Sequence, residues 1–279
     1  MAGFFGLFNY EKEGPGISKN APKKKTFIVF FETFFRNFWK FITINLVYGI
    51  ISLPVLTNGL ANAGITNVTR NIARDKHSFG LSDFFDTIKK NWKQSLIAGI
   101  INTIIYIVLG FDIFFFYNLE DNTVASISLG VALSILIIFT MMQYYIWTLI
   151  ITFKFKLSQI YKNSFKFVFI NFKNSIFCLL SLVLVHAVYV GIAILLKNFL
   201  IAVIVIELML YLLTYPAFKF LMVQYYVFPS IKKYIIDPYY RDHPDEDIEK
   251  RKDLGIEVEE KKPVLPEGEE EEPENVFED

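Results

Sequence analysis

Apolar positions run through this chain in long, nearly uncharged stretches. Four of them, about 95–116, 127–151, 174–196 and 199–224, are clear. Each exceeds the roughly 20 helical residues needed to cross about 30 Å of hydrocarbon. A fifth, about 38–56, ends near Pro54, and the following 57–73 is weaker and rich in Gly, Ala, Asn and Thr. The pattern predicts an all-α fold: a polytopic helical membrane bundle of five clear spans plus one short or re-entrant helix.

Shorter amphipathic stretches precede the spans. In 26–41, Glu32, Arg36 and Lys40 form a polar stripe among Phe residues. In 82–94, Phe85, Ile88 and Trp92 share one face, with Asp86, Lys90 and Lys93 on another. In 159–173, Lys162 and Lys166 oppose Phe165, Phe169 and Phe172. Basic faces opposite aromatic faces suit helices lying in the cytoplasmic interface. Tyr144, Tyr145, Trp147, Tyr225 and Tyr226 are then expected in an inner aromatic belt.

The sequence also repeats, with a period of about 80 residues. Asn91-Trp92-Lys93-Gln94-Ser95 resembles Asn171-Phe172-Lys173-Asn174-Ser175, and Gln143-Tyr144-Tyr145 resembles Gln224-Tyr225-Tyr226. The first motif opens a helical hairpin and the second closes it. The expected units are about 82–153 and 159–230, with a weaker copy over 26–74 beginning near Asn37-Phe38-Trp39-Lys40. Repeats of equal orientation are related by an axis along the membrane normal.

Charge assigns the sides. Lys154, Lys156, Lys162, Lys166 and Lys173 make the 152–173 connection cytoplasmic, whereas Glu120 and Asp121 place 117–126 outside. Arg70, Arg74, Lys76, Lys89, Lys90 and Lys93 put the region before residue 95 inside, as do Lys23, Lys24, Lys25, Arg36 and Lys40 for the segment 1–25 and its continuation. The chain must therefore cross an even number of times between 38 and 73. Pro54 and Gly59 suit the bend, and Ala61, Ala63 and Gly64 suit close packing. Both termini are expected in the cytoplasm.

The formal net charge of zero hides an asymmetry. Residues 241–279 hold 17 acidic and 6 basic residues, leaving 11 acidic and 22 basic in 1–240. The membrane domain 26–240 thus carries an acidic Glu- and Pro-rich tail, which is expected to be disordered, with an interaction tail as the functional alternative. With 53% apolar residues and mean hydropathy +0.39, the chain departs from a soluble enzyme, a disordered protein or a disulfide-rich secreted module.

Chemistry-bearing motifs are sparse. Cys178 is a lone cysteine in an apolar run, so no intramolecular disulfide forms. Met1–Phe8 lacks the basic start and small-residue cleavage pattern of a secretory signal. There is no Walker loop, dinucleotide motif, His-Glu-x-x-His or Cys cluster. No cofactor or metal is expected, and no catalytic residue. His77 and the His243 cluster read as solvated. Lys219 can snorkel to the inner boundary. The Lys23–Lys25 cluster abuts a membrane helix, so it points away from nucleic acid and toward anionic lipid heads.

The candidate polar site consists of ionisable residues at membrane depth: Glu207, His186 and Asp112. Glu207 and His186 sit at nearly equal depth on consecutive antiparallel helices, where they can meet if their faces agree. That site reads either as a structural hydrogen bond between helices or as a proton or polar-ligand site. Asp112 lies nearer the outer boundary. Asn91, Lys93, Ser95, Gln143, Asn171, Lys173, Ser175 and Gln224 are the repeat-motif residues.

Several motifs together resemble the YesL-like family of bacterial integral membrane proteins (domain of unknown function family 624). They are Gly6-Leu7-Phe8-Asn9-Tyr10, Gly14-Pro15-Gly16-Ile17-Ser18-Lys19, Pro22-Lys23-Lys24, Leu53-Pro54-Val55-Leu56-Thr57, Asn91-Trp92-Lys93-Gln94-Ser95, and Phe228-Pro229 to Tyr239-Tyr240. The resemblance spans roughly residues 3–245. After Leu-Pro the family pattern is Thr-x-Gly-Pro, whereas here Leu60 follows Thr57-Asn58-Gly59. The resemblance implies a bacterial plasma-membrane location and a setting in carbohydrate uptake or its regulation. A sugar-transporter permease or a sensor kinase would be the partner, and the family brings no catalytic residues. The expected function is a non-enzymatic accessory or regulatory membrane protein. A small transporter or channel with a midplane Glu/His site is the alternative. An enzyme acting on lipid ranks last, because paired cytoplasmic carboxylates or histidines are missing.

Overall fold

The computed structural model describes residues 25–119, 123–196 and 201–243. The N-terminal segment up to Lys24, the stretches 120–122 and 197–200 with Glu120, Asp121, Lys197 and Asn198, and the acidic tail from residue 244 lie outside the described residues. All regular structure among the described residues is helical. The chain divides into two units, Met1–Phe228 and Pro229–Asp279.

In the first unit, α1 (Thr26–Arg36) and α2 (Phe38–Ser52) are parted at Asn37, and a 3-10 turn at Val55–Thr57 leads into α3 (Asn58–Ala73). The bundle continues with α4 (Leu81–Tyr117), α5 (Thr123–Thr152), α6 (Leu157–Ile170), α7 (Phe172–Leu196) and α8 (Ile201–Tyr226). Four helices, α4, α5, α7 and α8, are long and apolar enough to cross a membrane. The fifth expected span is shorter than its apolar run: α2 has 15 residues, about 22 Å at 1.5 Å per residue. It stops at Pro54: Leu53 is still helical at φ −52°, ψ −48°, and Pro54 itself turns extended at φ −75°, ψ 113°. Val55 and Leu56 remain exposed at the tip, and the Thr57 hydroxyl donates to the Ile51 and Pro54 carbonyls.

From that tip α3 turns back. Tyr48 Oη donates to Asn62 Oδ1 at 2.9 Å across the α2–α3 pair. The Arg36–Asp75 ion pair (2.6 Å) joins the last residue of α1 to a residue after α3. The chain therefore returns to the end it left, as the charge parity requires. This same end gathers the start of α4 and the end of α5, where Gln94 Nε2 donates to Phe155 O at 2.6 Å. It also holds α1 and the end of α8, where Thr33 Oγ1 and Tyr225 Oη are 2.9 Å apart.

The weakest membrane segment by composition becomes the centre of the bundle. Nine of the 16 residues of α3 are buried, among them Ala61, Ala63, Val68 and Ile72. Lipid gives no hydrophobic drive between helices, so close packing and interhelical hydrogen bonds decide which helix sits inside. Gly59 and Gly99 meet so closely that a Cβ on Gly59 would lie 2.8 Å from Gly99 Cα. The buried hydroxyls of Thr66 and Thr69 return to carbonyls one turn back, at 2.5 and 2.8 Å. They need no outside partner.

Two further expectations are corrected. The stretch 82–94 is not a separate interfacial helix: it is the first part of the 37-residue α4. At about 55 Å this helix exceeds the hydrocarbon thickness, and the run Trp92-Lys93-Gln94-Ser95 offers no breaker. By contrast, α6 does stop before α7 at Asn171. The second correction concerns the inner aromatic belt. Tyr144, Tyr145 and Trp147 are buried rather than at the lipid boundary, because α3 and α6 both pack across this part of α5.

In the second unit the described residues run from Pro229 to His243. They contain the end of α9 (Phe228–Ile231), a π-helical turn at Lys232–Ile236 and α10 (Asp237–Asp242).

Candidate functional site

The clearest candidate lies between α7 and α8. A cleft of about 300 Å³ is lined by His186, Tyr189, Val190, Glu207, Leu208 and Tyr211, with Ala193 beside them. Antiparallel α7 and α8 bring His186 and Glu207 to one cleft, as equal depth predicts, but no hydrogen bond joins them. His186 Nδ1 is 2.6 Å from Leu182 O, and its Nε2 is 2.9 Å from Tyr211 Oη. A carbonyl only accepts, so Nδ1 carries a proton. In the neutral ring Nε2 then accepts from the Tyr211 hydroxyl. Tyr211 stands one helical turn from Glu207 and takes the place expected for it.

Aromatic rings build the wall. Tyr211 stacks on Tyr215 with centroids 4.7 Å apart, and Tyr189 meets Tyr211 edge-on at 5.0 Å. Thr214 Oγ1 donates to Leu210 O at 2.8 Å, which leaves Tyr189 Oη to donate to Thr214 Oγ1 at 3.0 Å. The hydroxyls of Tyr189, Tyr211 and Thr214 are therefore paired within the wall. Glu207 Oε1 is buried and has no hydrogen-bond partner among the described residues. An unmatched carboxyl oxygen at membrane depth is costly, so it marks a place where a proton or a donor from outside the chain can be accommodated.

Asp112 does not join this group; it is half-buried near the outer end of α4. Cys178 and Leu182 on α7, and Ala217 and Leu221 on α8, are buried. Among the described residues no group of three or more His, Cys, Asp or Glu converges.

The repeat-motif residues occupy matching places at the other end. Asn37 and Asn171 stand at the α1–α2 and α6–α7 breaks, whereas Asn91 lies inside the unbroken α4. Four residues beyond them Phe41, Ser95 and Ser175 are buried, and seven beyond, Ile44, Ala98 and Cys178. The side-chain amides of Asn37 and Asn91 donate to carbonyls four residues back, each at 3.0 Å, whereas that of Asn171 reaches Tyr226 O at 3.3 Å. Ser175 is bonded to Asn171 O and to Tyr145 Oη, at 3.0 and 2.7 Å. The Ser95 hydroxyl is buried without a partner among the described residues. Lys93 and Lys173 point outward.

The paired glutamines diverge. Gln143 Oε1 accepts from Asn102 Nδ2 at 2.9 Å, and Tyr161 Oη donates to Asn102 Oδ1 at 2.7 Å. Burial raises the Tyr161 phenol above its ordinary pKa, which keeps that proton in place. Gln224 instead donates to Thr148 Oγ1 at 3.1 Å. Asn102, Tyr161, Tyr211 and Asn45 escape the sequence reading. The two asparagines do interrupt apolar runs, and an amide at membrane depth signals an interhelical bond.

Residues 41–113 match the family described as Protein of unknown function, DUF624. The chain thus carries a domain of that family spanning most of α2, α3 and most of α4. The motifs before Lys25 and after Phe228, and the α7–α8 cleft, lie outside the matched residues. Neither the curated proteins nor the solved structures contain a match to this chain.

Proposed function

We propose that this helical membrane protein with its DUF624 domain is a non-enzymatic accessory or regulatory subunit of a bacterial carbohydrate-uptake system. It sits in the plasma membrane with both termini in the cytoplasm. The bundle consists of hairpin units of one orientation, which the matching burial after Asn37, Asn91 and Asn171 supports. The observation that carries the reading is the α7–α8 cleft. It presents Glu207, with an unpartnered oxygen, on a face whose neighbours Val190, Leu208 and Leu212 are exposed. A partner helix in the bilayer plane can pack over those exposed side chains. The uptake setting and the partner class come from the family resemblance.

A second reading is a small transporter, favoured by the same Glu207 beside His186. One pair of experiments separates them. A photocrosslinker at Leu208 in living cells is expected to capture a sugar permease or sensor kinase, and Glu207→Gln to reduce that capture severalfold. Flux by the purified chain in liposomes that disappears with Glu207→Gln would instead establish transport.

A further inference from the structure

Burial along α7 and α8 stops abruptly. On α8, Pro216, Ala217 and every residue from Phe220 to Gln224 are buried, whereas none from Val205 to Tyr215 is. On α7 the last buried residue is Leu182, and none from Val183 to Leu195 is buried. The α4–α5 hairpin differs: Leu109 on α4, with Ala125 and Ala132 on α5, stays buried toward its outer end. The outer parts of α7 and α8 hold to each other through Tyr189–Thr214 and His186–Tyr211. They form one arm, and the surrounding lipid does not fix its angle, because lipid gives no hydrophobic drive between helices.

The arm meets the rest of α8 at a weak point. Pro216 is its first buried residue, and a proline lacks the N–H that continues the helical ladder. A side chain enters the ladder beside it. Asn45 of α2 donates to Leu213 O and accepts from Ala217 N, the two groups that a regular helix bonds to each other. Two residues before the proline, Thr214 Oγ1 donates to Leu210 O, a back-bond that bends helices. Proline and an inserted side chain are each a cause of sharp kinks; here they coincide.

We propose that α7 beyond Leu182 and α8 before Pro216 form a hinged arm, with Asn45 as its latch. In the latched state, the one described here, the Asn45 amide engages Leu213 O and Ala217 N. In the released state those two groups bond each other, α8 changes its bend at Pro216, and the arm shifts against α2. From Ile201 to Pro216 the arm is about 22 Å long. A turn of about 20° at the hinge, the size of a sharp kink, therefore moves its outer end by about 8 Å. His186, Tyr189, Glu207 and Tyr211 all ride on the arm, so the cleft moves as a unit. A helix that binds the cleft better in one arm position shifts the latch. That consequence rests on the docking function proposed above; the hinge itself does not.

Double electron–electron resonance between spin labels tests this on the full chain in lipid nanodiscs. One pair, Tyr117→Cys with Leu195→Cys, joins exposed positions at the outer ends of α4 and α7. A second, Lys93→Cys with Lys173→Cys, joins exposed positions near the cytoplasmic end. Cys178 is buried and stays unlabelled. The first pair is expected to give the latched distance and a second one displaced by several ångströms, the other pair a single distance. Asn45→Ala should enlarge the displaced population, and Pro216→Ala should abolish it. Pro216→Ala lets α8 bond to itself, so it stays informative if Asn45→Ala unfolds. A single Tyr117–Leu195 distance that neither variant changes overturns the hinge. So does an equal spread in both pairs, because the bundle would then be loose throughout. Two distances without any crosslink at Leu208 would support the hinge and remove only the docking function.

Discussion

The side-chain amide of Asn45 bridges the break that Pro216 makes in α8. Proline removes one N–H and pushes the helix open, which disturbs the backbone bond from the next residue to the carbonyl three before the proline. Asn45 Nδ2 donates to Leu213 O at 2.6 Å, and Asn45 Oδ1 accepts from Ala217 N at 2.9 Å. One amide thereby satisfies both groups and ties α2 to α8.

That geometry predicts a conditional effect. Asn45→Ala should destabilise the protein by about 1–3 kcal/mol, the cost of leaving buried polar groups unpaired. In a Pro216→Ala background the helix can bond to itself, and the same substitution should cost much less. Thermal unfolding in detergent of the two single variants and the double variant measures this. Equal costs in both backgrounds would refute the bridging role.

Packing at the α3–α4 crossing makes a second prediction. Gly59→Ala and Gly99→Ala each place a methyl group against backbone, and overpacking of this kind costs about 1–3 kcal/mol. At Gly49 and Gly110 an added methyl group would meet nothing within 4 Å. Alanine there should be neutral, or stabilise by up to about 1 kcal/mol through helix propensity. Melting temperatures of the four variants separate the groups.

Across α4, α5 and α6, Tyr161→Phe should cost about 1 kcal/mol by removing the donor to Asn102. In an Asn102→Ala background the loss should be smaller. A double-mutant cycle by thermal unfolding reads the coupling, and strict additivity would mean that the bond contributes nothing.

Return of the chain through α3 is open to labelling. Cys178 is buried, so the native background stays silent toward a membrane-impermeant maleimide. A cysteine at Asn58 should react only from outside, and one at Asp75 only from the cytoplasm. Reaction of Asn58→Cys from the cytoplasmic side alone would show that α2 and α3 re-enter without crossing.

Much of the bundle is legible in spacing. The four long spans follow from uncharged runs, and the return of the chain before Asp75 follows from the balance of basic residues around 38–73. The candidate site is legible only by depth: counting residues from the outer turn brings His186 and Glu207 to one level. Helix rotation decides the rest, placing Tyr211 rather than Glu207 on the imidazole. The α4 junction escapes the pattern because an amphipathic stretch and an apolar one can join without a break when no helix-stopping residue intervenes.

The sequence by itself determined that the chain is helical, where its four longest apolar runs lie and which end is basic, because these depend on local composition and hydrogen bonding within each helix. The tertiary structure decided which helix lies inside. Hydropathy ranks α3 among the weaker segments, but its small residues let Gly59 reach Gly99, and packing governs association within lipid. It also decided the partners of single polar groups, such as Asn45 at the Pro216 break, since a hydrogen bond depends on rotation and approach that no one-dimensional pattern contains.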